Sequence, residues 1–264
     1  MEKCGAYRYS LVINDGQKRV FKDLQTLDSG QYLGFWNEQT NQRDGKGVMI
    51  FHDGSRYDGY WRDDKINGTG RLIHADGEYY EGEWMSNKAH GKGKYVHNDG
   101  TVYEGDWVAD VQHGDGVETW TDGAKYEGHY KLGKKHGHGK FKWNNNSEYE
   151  GDFQDNNING KGTYIWEDGR KYTGDWVNNK MHGKGEFTFP DGRKYTGQYV
   201  DDKKEGYGVL EWPNGKKYEG YWKAGKQHGK GKVTGIKGEV KEFTWIDGNK
   251  VKQDIATKQR KKAS

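Results

Sequence analysis

Residues 80–102 read YEGEWMSNKAHGKGKYVHNDGTV, and this stretch decides the architecture because most of the chain is built from copies of it. The copies follow one another every 23 residues, apart from the first, which has two extra residues in its loop. A fixed period of this length is typical of a stacked repeat array, so we predict one array and not several globular domains. The nine units begin at Tyr32, Tyr57, Tyr80, Tyr103, Tyr126, Tyr149, Tyr172, Tyr195 and Tyr218.

Each unit has the pattern of a two-stranded hairpin. With the leading Tyr as position 1, glycine stands at positions 3, 12 and 14, an aromatic residue at position 5, and usually Asp-Gly at positions 20 and 21. Alternation in Tyr-x-Gly-x-Trp indicates a half-buried strand, a second strand follows, and Asp-Gly turns the chain into the next unit. The glycines are expected to make room for a tryptophan ring lying flat on the sheet. The predicted fold is all-β: an elongated, solenoid-like single-layer antiparallel sheet of stacked hairpins.

The composition supports a folded array despite its polarity. Hydrophobic residues make up 31% of the 264 residues and the mean hydropathy is −1.27, values that alone would suggest disorder. The chain carries 11 Trp, 19 Tyr and 8 Phe, most of them at fixed repeat positions, and large aromatic rings can cover a thin sheet. A net charge of +3 gives no reason to expect nucleic acid. The single Cys4 cannot form an internal disulfide, which favours a cytoplasmic location.

The two ends depart from the period. Residues 1–31 contain YRYSLVI, Asn14-Asp15-Gly16 and KRVF, which predicts an N-terminal cap hairpin before the nine repeats of residues 32–240. Residues 241–248 start a degenerate half-repeat in which Phe243 fills a glycine position, so we expect it to cap the array. The basic residues 249–264 are predicted to be a flexible tail.

The unit YEGxWxxxKxHGxGxxxxxDGxx resembles the MORN repeat, the membrane occupation and recognition nexus motif, over roughly residues 32–245. The resemblance implies a twisted antiparallel sheet with an aromatic-lined groove. It also implies a scaffold, since family members include radial-spoke head proteins of cilia, junctophilins that bridge membranes, and non-catalytic parts of some lipid kinases. In repeat order and wording the chain is most similar to stand-alone MORN proteins of ciliated protists.

Two surfaces are candidate binding sites. The aromatic face could grip a partner protein as a groove, or its rings could simply cover one another. The predicted groove residues are Tyr103, Trp107, Tyr126, Trp143, Tyr149, Trp166, Tyr172, Trp176, Phe189 and Trp212. A basic stripe at positions 22 and 23 of the late units could meet an acidic partner or lipid headgroups, or could be ordinary solubilising charge. Its members are Arg170, Lys171, Arg193, Lys194, Lys216 and Lys217.

The sequence gives no support for catalysis, a cofactor or a metal. The recurrent histidines at position 11 would lie roughly 10 Å apart on adjacent hairpins, too far for one metal ion. Paired carboxylates such as Glu81 and Glu83 fall on the polar face, where nothing would adapt them to acid catalysis. We therefore predict a non-enzymatic scaffold for partner proteins in a cytoskeletal or ciliary assembly, such as an axonemal radial spoke. A peripheral membrane tether that binds phosphoinositides and a targeting subunit for a separate enzyme are the alternatives, and homodimerisation is left open.

Overall fold

The structure is a computed structural model of the chain and describes residues 6–9 and 15–251. Within these residues there are 21 strands and no helix, hence none that could cross a membrane. The first eleven strands are β1 (Arg19–Leu27), β2 (Gly30–Asn37), β3 (Arg43–Phe51), β4 (Arg56–Arg62), β5 (Lys65–Ile73), β6 (Tyr79–Met85), β7 (Lys88–Val96), β8 (Val102–Val108), β9 (Val111–Thr119), β10 (Lys125–Lys131) and β11 (Lys134–Lys142). The remaining strands are β12 (Glu148–Gln154), β13 (Asn157–Ile165), β14 (Lys171–Val177), β15 (Lys180–Thr188), β16 (Lys194–Val200), β17 (Lys203–Glu211), β18 (Lys217–Lys223), β19 (Lys226–Thr234), β20 (Val240–Ile246) and β21 (Asn249–Lys250).

The chain divides into two compact units, Met1–Asn144 with Gln154–Asn156, and Asn145–Phe153 with Asn157–Ser264. In the first unit, β1 to β11 pair consecutively and always antiparallel. In the second unit, β13 to β21 do the same. The prediction of an all-β antiparallel fold made of stacked hairpins is confirmed.

Every hairpin except that of the first repeat, whose loop is longer, closes through a tight turn at positions 7 and 8. In the third repeat these residues are Ser86 and Asn87, with φ of 50° and 68°, the values of a type I′ turn that matches the twist of paired strands. The Asn87 side-chain oxygen accepts from the Ile66 backbone N–H of the preceding hairpin at 2.7 Å, and the Asn87 N–H donates to the Ile66 carbonyl at 2.9 Å. The turn therefore also ties neighbouring hairpins together.

The opposite turns use the predicted Asp-Gly pair. At Asp99-Gly100, the Asp99 carboxylate accepts from the Thr101 N–H at 2.7 Å and Gly100 has a φ of 91°. Asn145-Asn146 replaces the pair in one repeat, and Asn146 takes up the left-handed conformation, with φ 64°, as its residue type permits.

The leading tyrosine of each repeat, and not the tryptophan, lies over the glycines. In the repeat that starts at Tyr80, Gly82 pairs with Gly93, and a Cβ added to Gly93 would fall well inside contact distance of the Tyr80 ring and hydroxyl. The expectation that the glycines make room for a flat tryptophan ring was therefore wrong, because the ring that needs the space is the leading tyrosine. The tyrosine sits directly over the paired glycines because it shares a strand and a face with Gly82, and Gly93 lies opposite Gly82 on the next strand.

A β-bulge gives each of these tyrosine hydroxyls its partner. The register of β6 with β7 shifts between Gly82 and Trp84, so Glu83 has no partner in β7, and the Tyr80 hydroxyl donates to the Glu83 carbonyl at 2.9 Å. The same bond, from the leading tyrosine to the carbonyl three residues on, is made in all nine repeats at 2.9–3.3 Å. Each of the nine buried hydroxyls therefore has a hydrogen-bond partner. A buried hydroxyl without a partner would lower the stability of the fold.

The rings at positions 1 and 5 pack edge to face along each unit. Tyr80 contacts Trp84 of its own hairpin with centroids 4.9 Å apart and Trp107 of the next at 5.2 Å, both near perpendicular. The Trp107 indole N–H also donates to the Gly93 carbonyl at 3.1 Å. Such pairs are worth about 0.5–1.5 kcal/mol each beyond area burial, so stacking stabilises a sheet with few aliphatic residues.

The ends extend the sheet. In the predicted cap, residues 19–27 form β1, which pairs with β2. Residues 10–14 and Cys4 lie outside the described residues, so the hairpin that was expected there stays a prediction. Tyr9 packs against Tyr60, with centroids 5.6 Å apart. At the other end, Phe243 in β20 stands opposite Gly231, and β21 begins at Asn249, where the tail was predicted to start. The rest of that predicted tail, residues 252–264, lies outside the described part.

Replacing the paired glycine Gly162 with Ala is expected to lower the free energy of unfolding by about 1–3 kcal/mol. A Cβ there would overlap the Tyr149 hydroxyl and ring, which are buried and cannot move aside. Denaturant unfolding measures the effect. The control is Lys161→Ala, one residue away on the exposed side of β13, which should change stability by less than about 0.5 kcal/mol. Equal stability of the two variants would contradict the proposed steric role.

Candidate functional site

Six of the ten predicted groove residues belong to the buried core of the sheet. Their side chains are 0–8% exposed, and burial raises the pKa of the tyrosines above its usual value. They occupy positions 1 and 5, where the rings cover one another edge to face, so they are corrected here from partner contacts to core residues. The six are Tyr103, Trp107, Tyr126, Tyr149, Tyr172 and Trp176.

The other four predicted residues are half-buried and lie at position 18, beside the turns that lead into the next repeat. In the first unit, Trp143 contacts Phe141 with centroids 4.5 Å apart, and Phe141 stacks on Trp120 at 5.3 Å. We call Trp120, Phe141 and Trp143 the first outer strip. These rings come from positions 16 and 18 of successive repeats and continue the aromatic face toward solvent.

The second unit carries an equivalent surface, which we call the second outer strip: Tyr164, Trp166, Phe187, Phe189 and Trp212. Trp166 contacts Tyr164 at 4.6 Å and Phe187 of the next repeat at 5.5 Å, and Phe187 contacts Phe189 at 4.7 Å. Phe187 is buried, whereas Trp166, Phe189 and Trp212 are half-buried. The predicted aromatic groove thus narrows to a strip of partly exposed rings in each unit.

Half of the predicted basic stripe lies over the second outer strip. The Arg170 guanidinium is 5.3 Å from the Trp166 ring centroid, that of Arg193 is 4.7 Å from Phe189, and the Lys216 ammonium is 5.0 Å from Trp212. Cations at such distances are attracted to the faces of aromatic rings. The repeat explains the pairing, because position 22 follows the turn that begins after position 18.

The other half of the stripe points elsewhere. Lys171, Lys194 and Lys217 begin strands β14, β16 and β18, and one residue along a strand reverses the face. The Lys194 ammonium lies 3.2 Å from a Glu186 carboxylate oxygen, and that of Lys217 lies 3.1 Å from Glu219. The prediction of one continuous stripe of six residues is therefore wrong. The sequence periodicity placed the six together, but the strand alternation separates them into two rows.

Carboxylates further reduce the charge of the row over the strip. The Arg170 Nε lies 2.7 Å from Asp168, and the Arg193 Nε lies 2.7 Å from Asp191. The Arg170 contact, the largest cause, lowers the pKa of Asp168 below its usual value, so this carboxyl stays ionised at neutral pH. The second outer strip is thus an aromatic surface edged by partly neutralised cations.

Two lysines at position 10 belong to this aromatic face, and the sequence reasoning missed them. Lys135 lies across from Tyr130 in the β10–β11 pair, and Lys204 lies across from Tyr199 in the β16–β17 pair. Position 10 holds an apolar or amide residue in most other repeats, among them Ile66, Ala89 and Gln112. A lysine at a position that faces the core rings is the signal that would have identified both.

Lys204 is enclosed by rings. Its ammonium lies 4.7 Å from the Tyr195 ring centroid, 4.8 Å from Trp222 and 5.4 Å from Phe189. Burial, followed by the charge of Arg193, lowers the pKa of Lys204 to about 8. At neutral pH the side chain is still mostly a cation, held in a partly desolvated aromatic surrounding.

The carboxylates of the other face have structural partners. The Asp175 side chain accepts from the Lys184 backbone N–H at 2.8 Å and from the Lys161 ammonium at 2.7 Å. These contacts lower the pKa of Asp175, the Lys161 bond contributing most. A carboxyl that stays ionised cannot act as a general acid near neutral pH. Among residues 6–9 and 15–251, no three His, Cys, Asp or Glu side chains are gathered so that they could hold a metal ion.

Comparison with known families identifies the repeat. The MORN repeat pattern matches residues 41–56, 57–79, 80–102, 103–125, 126–148, 149–169, 172–192, 195–217 and 218–240. The chain therefore belongs to the MORN repeat family. The first match covers only the second half of the unit that the sequence analysis began at Tyr32. A comparison with curated proteins finds none that matches the sequence.

Several solved structures are similar to the chain at low identity. One is the TCP10 domain of Danio rerio CPAP in complex with a peptide of Danio rerio STIL, with 11% identity, a TM-score of 0.46 and coverage of 89% of this chain and 98% of that chain. Another is the SAS-4 (dCPAP) TCP domain in complex with a proline-rich motif of Ana2 (dSTIL) of Drosophila melanogaster, with 11% identity, a TM-score of 0.38 and coverage of 67% and 90%. The family assignment rests on the repeat pattern alone, and not on these two alignments.

Lysine-to-methionine substitutions at the two position-10 sites are expected to have opposite effects. Lys204→Met should raise the melting temperature by about 2–4 °C at pH 7, because it removes a desolvated charge from among aromatic rings. Lys135→Met should lower it by a similar amount, because the Glu118 carboxylate, 2.7 Å from Lys135 and only 16% exposed, loses its cation. Thermal unfolding of both variants beside the parent chain measures the difference, and shifts of the same sign would contradict it.

The gain from Lys204→Met should vanish at high pH. The pKa of Lys204 is about 8 in the folded chain against an ordinary 10.5, so the unfolded state binds more protons between these values. Stability of the parent chain contributed by this group then rises with pH through that window. The advantage of the variant should be full below pH 8 and largely gone by about pH 10. A pH-independent advantage would show that the effect comes from packing alone.

Proposed function

We propose that the chain is a non-enzymatic scaffold that binds a partner protein through its outer strips, with the second outer strip as the main contact. The observation that carries the proposal is the row of half-buried rings at Trp166, Phe189 and Trp212, edged by Arg170, Arg193 and Lys216. Aromatic and arginine side chains dominate the energetics of protein interfaces. Membership of the MORN repeat family supports an interaction role of this kind.

The geometry favours an elongated partner element. The strip takes one residue pair from each successive hairpin, and neighbouring hairpins advance by two strand spacings, roughly 10 Å. An extended segment or a helix with apolar side chains at matching intervals would place one anchor on each hairpin. The buried rings beneath, such as Trp176, would hold the strip in place without touching the partner.

A cytoskeletal or ciliary assembly is the setting that we propose for this scaffold. This part rests on the resemblance to MORN proteins of ciliated protists and of radial spoke heads. A targeting role for a separate enzyme uses the same surface and would differ only in the nature of the partner. Stoichiometric co-purification with an enzyme subunit would favour that second role over a structural one.

Removing two rings from the second outer strip should abolish partner capture. We expect the double variant Trp166→Ser, Trp212→Ser to lose the proteins that the parent chain retains from its source cells, because two of the three half-buried anchor rings at position 18 are gone. The measurement is quantitative proximity labelling followed by direct binding of each recovered partner to the purified chain. The far-ultraviolet circular dichroism spectrum should not change, since neither ring belongs to the buried core.

A matched control removes two exposed rings from the other face of the same unit. Tyr207 and Tyr221 are 50% and 54% exposed and contact each other across β17 and β18, with centroids 5.6 Å apart. The variant Tyr207→Ser, Tyr221→Ser should keep every partner that the strip variant loses. Loss of the same partners from both variants, or from the control alone, would refute the assignment of the binding face.

Membrane binding has less support, because strand alternation divides the basic residues between two faces and carboxylates pair with several of them. Each basic residue close to an anionic surface contributes about 1 kcal/mol, and pairing reduces this. We expect vesicles that contain phosphoinositides to float little of the chain at about 0.15 M salt, where surface charges are screened beyond about 8 Å. Salt-sensitive flotation that is lost after charge reversal of Arg170, Arg193 and Lys216 would support the membrane alternative instead.

A further inference from the structure

The repeat places the same cation twice in different surroundings. Lys135 and Lys204 both occupy position 10, both lie across from a buried position-5 tyrosine, and both sit among position-1 and position-18 rings. Each therefore serves as an internal reference for the other. The difference lies at position 16 of the preceding repeat, which holds Glu118 in one case and Phe187 in the other.

In the first case one carboxylate satisfies two donors. The Glu118 Oε2 accepts from the Lys135 ammonium at 2.7 Å and from the Tyr130 hydroxyl at 2.9 Å. The side chains of Lys135 and Glu118 are only 15% and 16% exposed, so this is a largely enclosed ion pair. The aromatic face of a MORN hairpin can thus hold a carboxylate between a lysine and a tyrosine.

In the second case the same two donors are present and the carboxylate is missing. Phe187 cannot accept a hydrogen bond, and within the described part of the chain the buried Tyr199 hydroxyl has no hydrogen-bond partner. The Tyr199 side chain is 3% exposed, and a buried donor without a partner is unfavourable because it has lost its hydrogen bonds to water. No carboxylate of the described residues forms an ion pair with Lys204 either, while Arg193 adds further positive charge.

We propose that Lys204 and Tyr199 form a receptor for a carboxylate side chain of the partner protein, which supplies from outside the acceptor that Glu118 supplies internally in the earlier repeat. The inference rests on the proposed partner-binding role of the second outer strip and specifies its chemistry. Phe189, Trp212 and Trp222 supply the apolar surroundings, so the fitting segment carries an Asp or Glu next to apolar side chains. Arg193 at the edge selects against basic segments.

A protein carboxylate fits the site better than other anions. The internal ligand, Glu118, is a planar carboxylate on a short apolar stem, and it meets one ammonium and one hydroxyl donor. A phosphate carries more charge and requires more donors than these two, because a buried anion is stable only when its charge and hydrogen bonds are matched. Lys204 stays half-buried, so part of the side chain is open to an incoming group.

Carbon NMR of the full chain labelled with [13Cε]lysine tests the receptor with 3-phenylpropanoate as the probe at pH 7. We expect the Lys204 resonance to shift in a saturable way with this carboxylate. Binding of the uncharged 3-phenylpropanamide should be at least about tenfold weaker, the loss expected when a charge-assisted hydrogen bond is removed. Inorganic phosphate should bind no better than the amide. Lys135 should not respond, because Glu118 already occupies its site.

Exchanging the two position-16 residues provides matched variants. Phe187→Glu should install an internal carboxylate at Lys204, abolish the response to 3-phenylpropanoate and raise the pKa of Lys204 above its present value. Glu118→Phe should do the reverse and make Lys135 responsive. Each variant places at position 16 a residue type that the fold already accepts at the equivalent place, and a thermal unfolding curve confirms that it folds.

The inference is overturned if Lys204 fails to respond to the carboxylate, responds equally to the amide, or still responds in Phe187→Glu. It is equally overturned if phosphate binds more tightly than the carboxylate, which would point to an anion site of another kind. Failure of the scaffold role shows separately, since that role is measured by partner loss in Trp166→Ser, Trp212→Ser. Partner loss without a Lys204 response contradicts only the receptor.

Discussion

The structure depends on one arrangement: a tyrosine ring lying over a pair of glycines with its hydroxyl bonded to the carbonyl of a residue at a β-bulge. Either half alone would be unfavourable, because a bulge exposes a backbone acceptor and a buried phenol needs one. Together they satisfy each other at every repeat. The two glycines are needed because a side chain on either would displace the ring, and so the tyrosine, both glycines and the bulge form one inseparable unit.

This arrangement also determines where function can reside. The rings at positions 1 and 5 are buried against one another and are therefore not available to a partner. The carboxylates at position 4 accept hydrogen bonds from backbone N–H groups and pair with lysines of the polar face. The aromatic face remains variable at positions 10, 16, 18 and 22. These vary between repeats from Ala89 to Lys204 and from Glu118 to Phe187, while the core ladder stays constant. A partner would contact the side chains at those variable positions, and the constant core rings would determine the spacing between these side chains.

The period, strand pairs and turns could be predicted from the sequence because each follows from local alternation and residue type. The candidate site could be predicted only in part, since periodicity shows which residues recur but not how deeply they are covered. Tyr103 and Trp143 are both aromatic and recurrent, yet one is buried under its neighbours and the other is partly exposed. Arg170 and Lys171 are adjacent in sequence, yet the strand that starts at Lys171 sends them apart. The bulge was not expected either, because the repeat pattern does not show which residue of a strand lacks a partner on the neighbouring strand.

A repeat array allows equivalent sites to be compared directly, because the backbone and the surrounding rings stay nearly constant between repeats while one residue changes. Tyr130 with Lys135 and Tyr199 with Lys204 differ chiefly in whether position 16 supplies a carboxylate. A pair of donors, one buried and one half-buried, that one repeat satisfies internally and another leaves open costs stability in the free chain. That cost is recovered when a ligand brings the missing acceptor, which makes binding sensitive to the charge of the ligand. In a repeat array, a position at which one repeat lacks a hydrogen-bond partner that another repeat supplies is therefore a better guide to a binding site than the constant spacing of the rings.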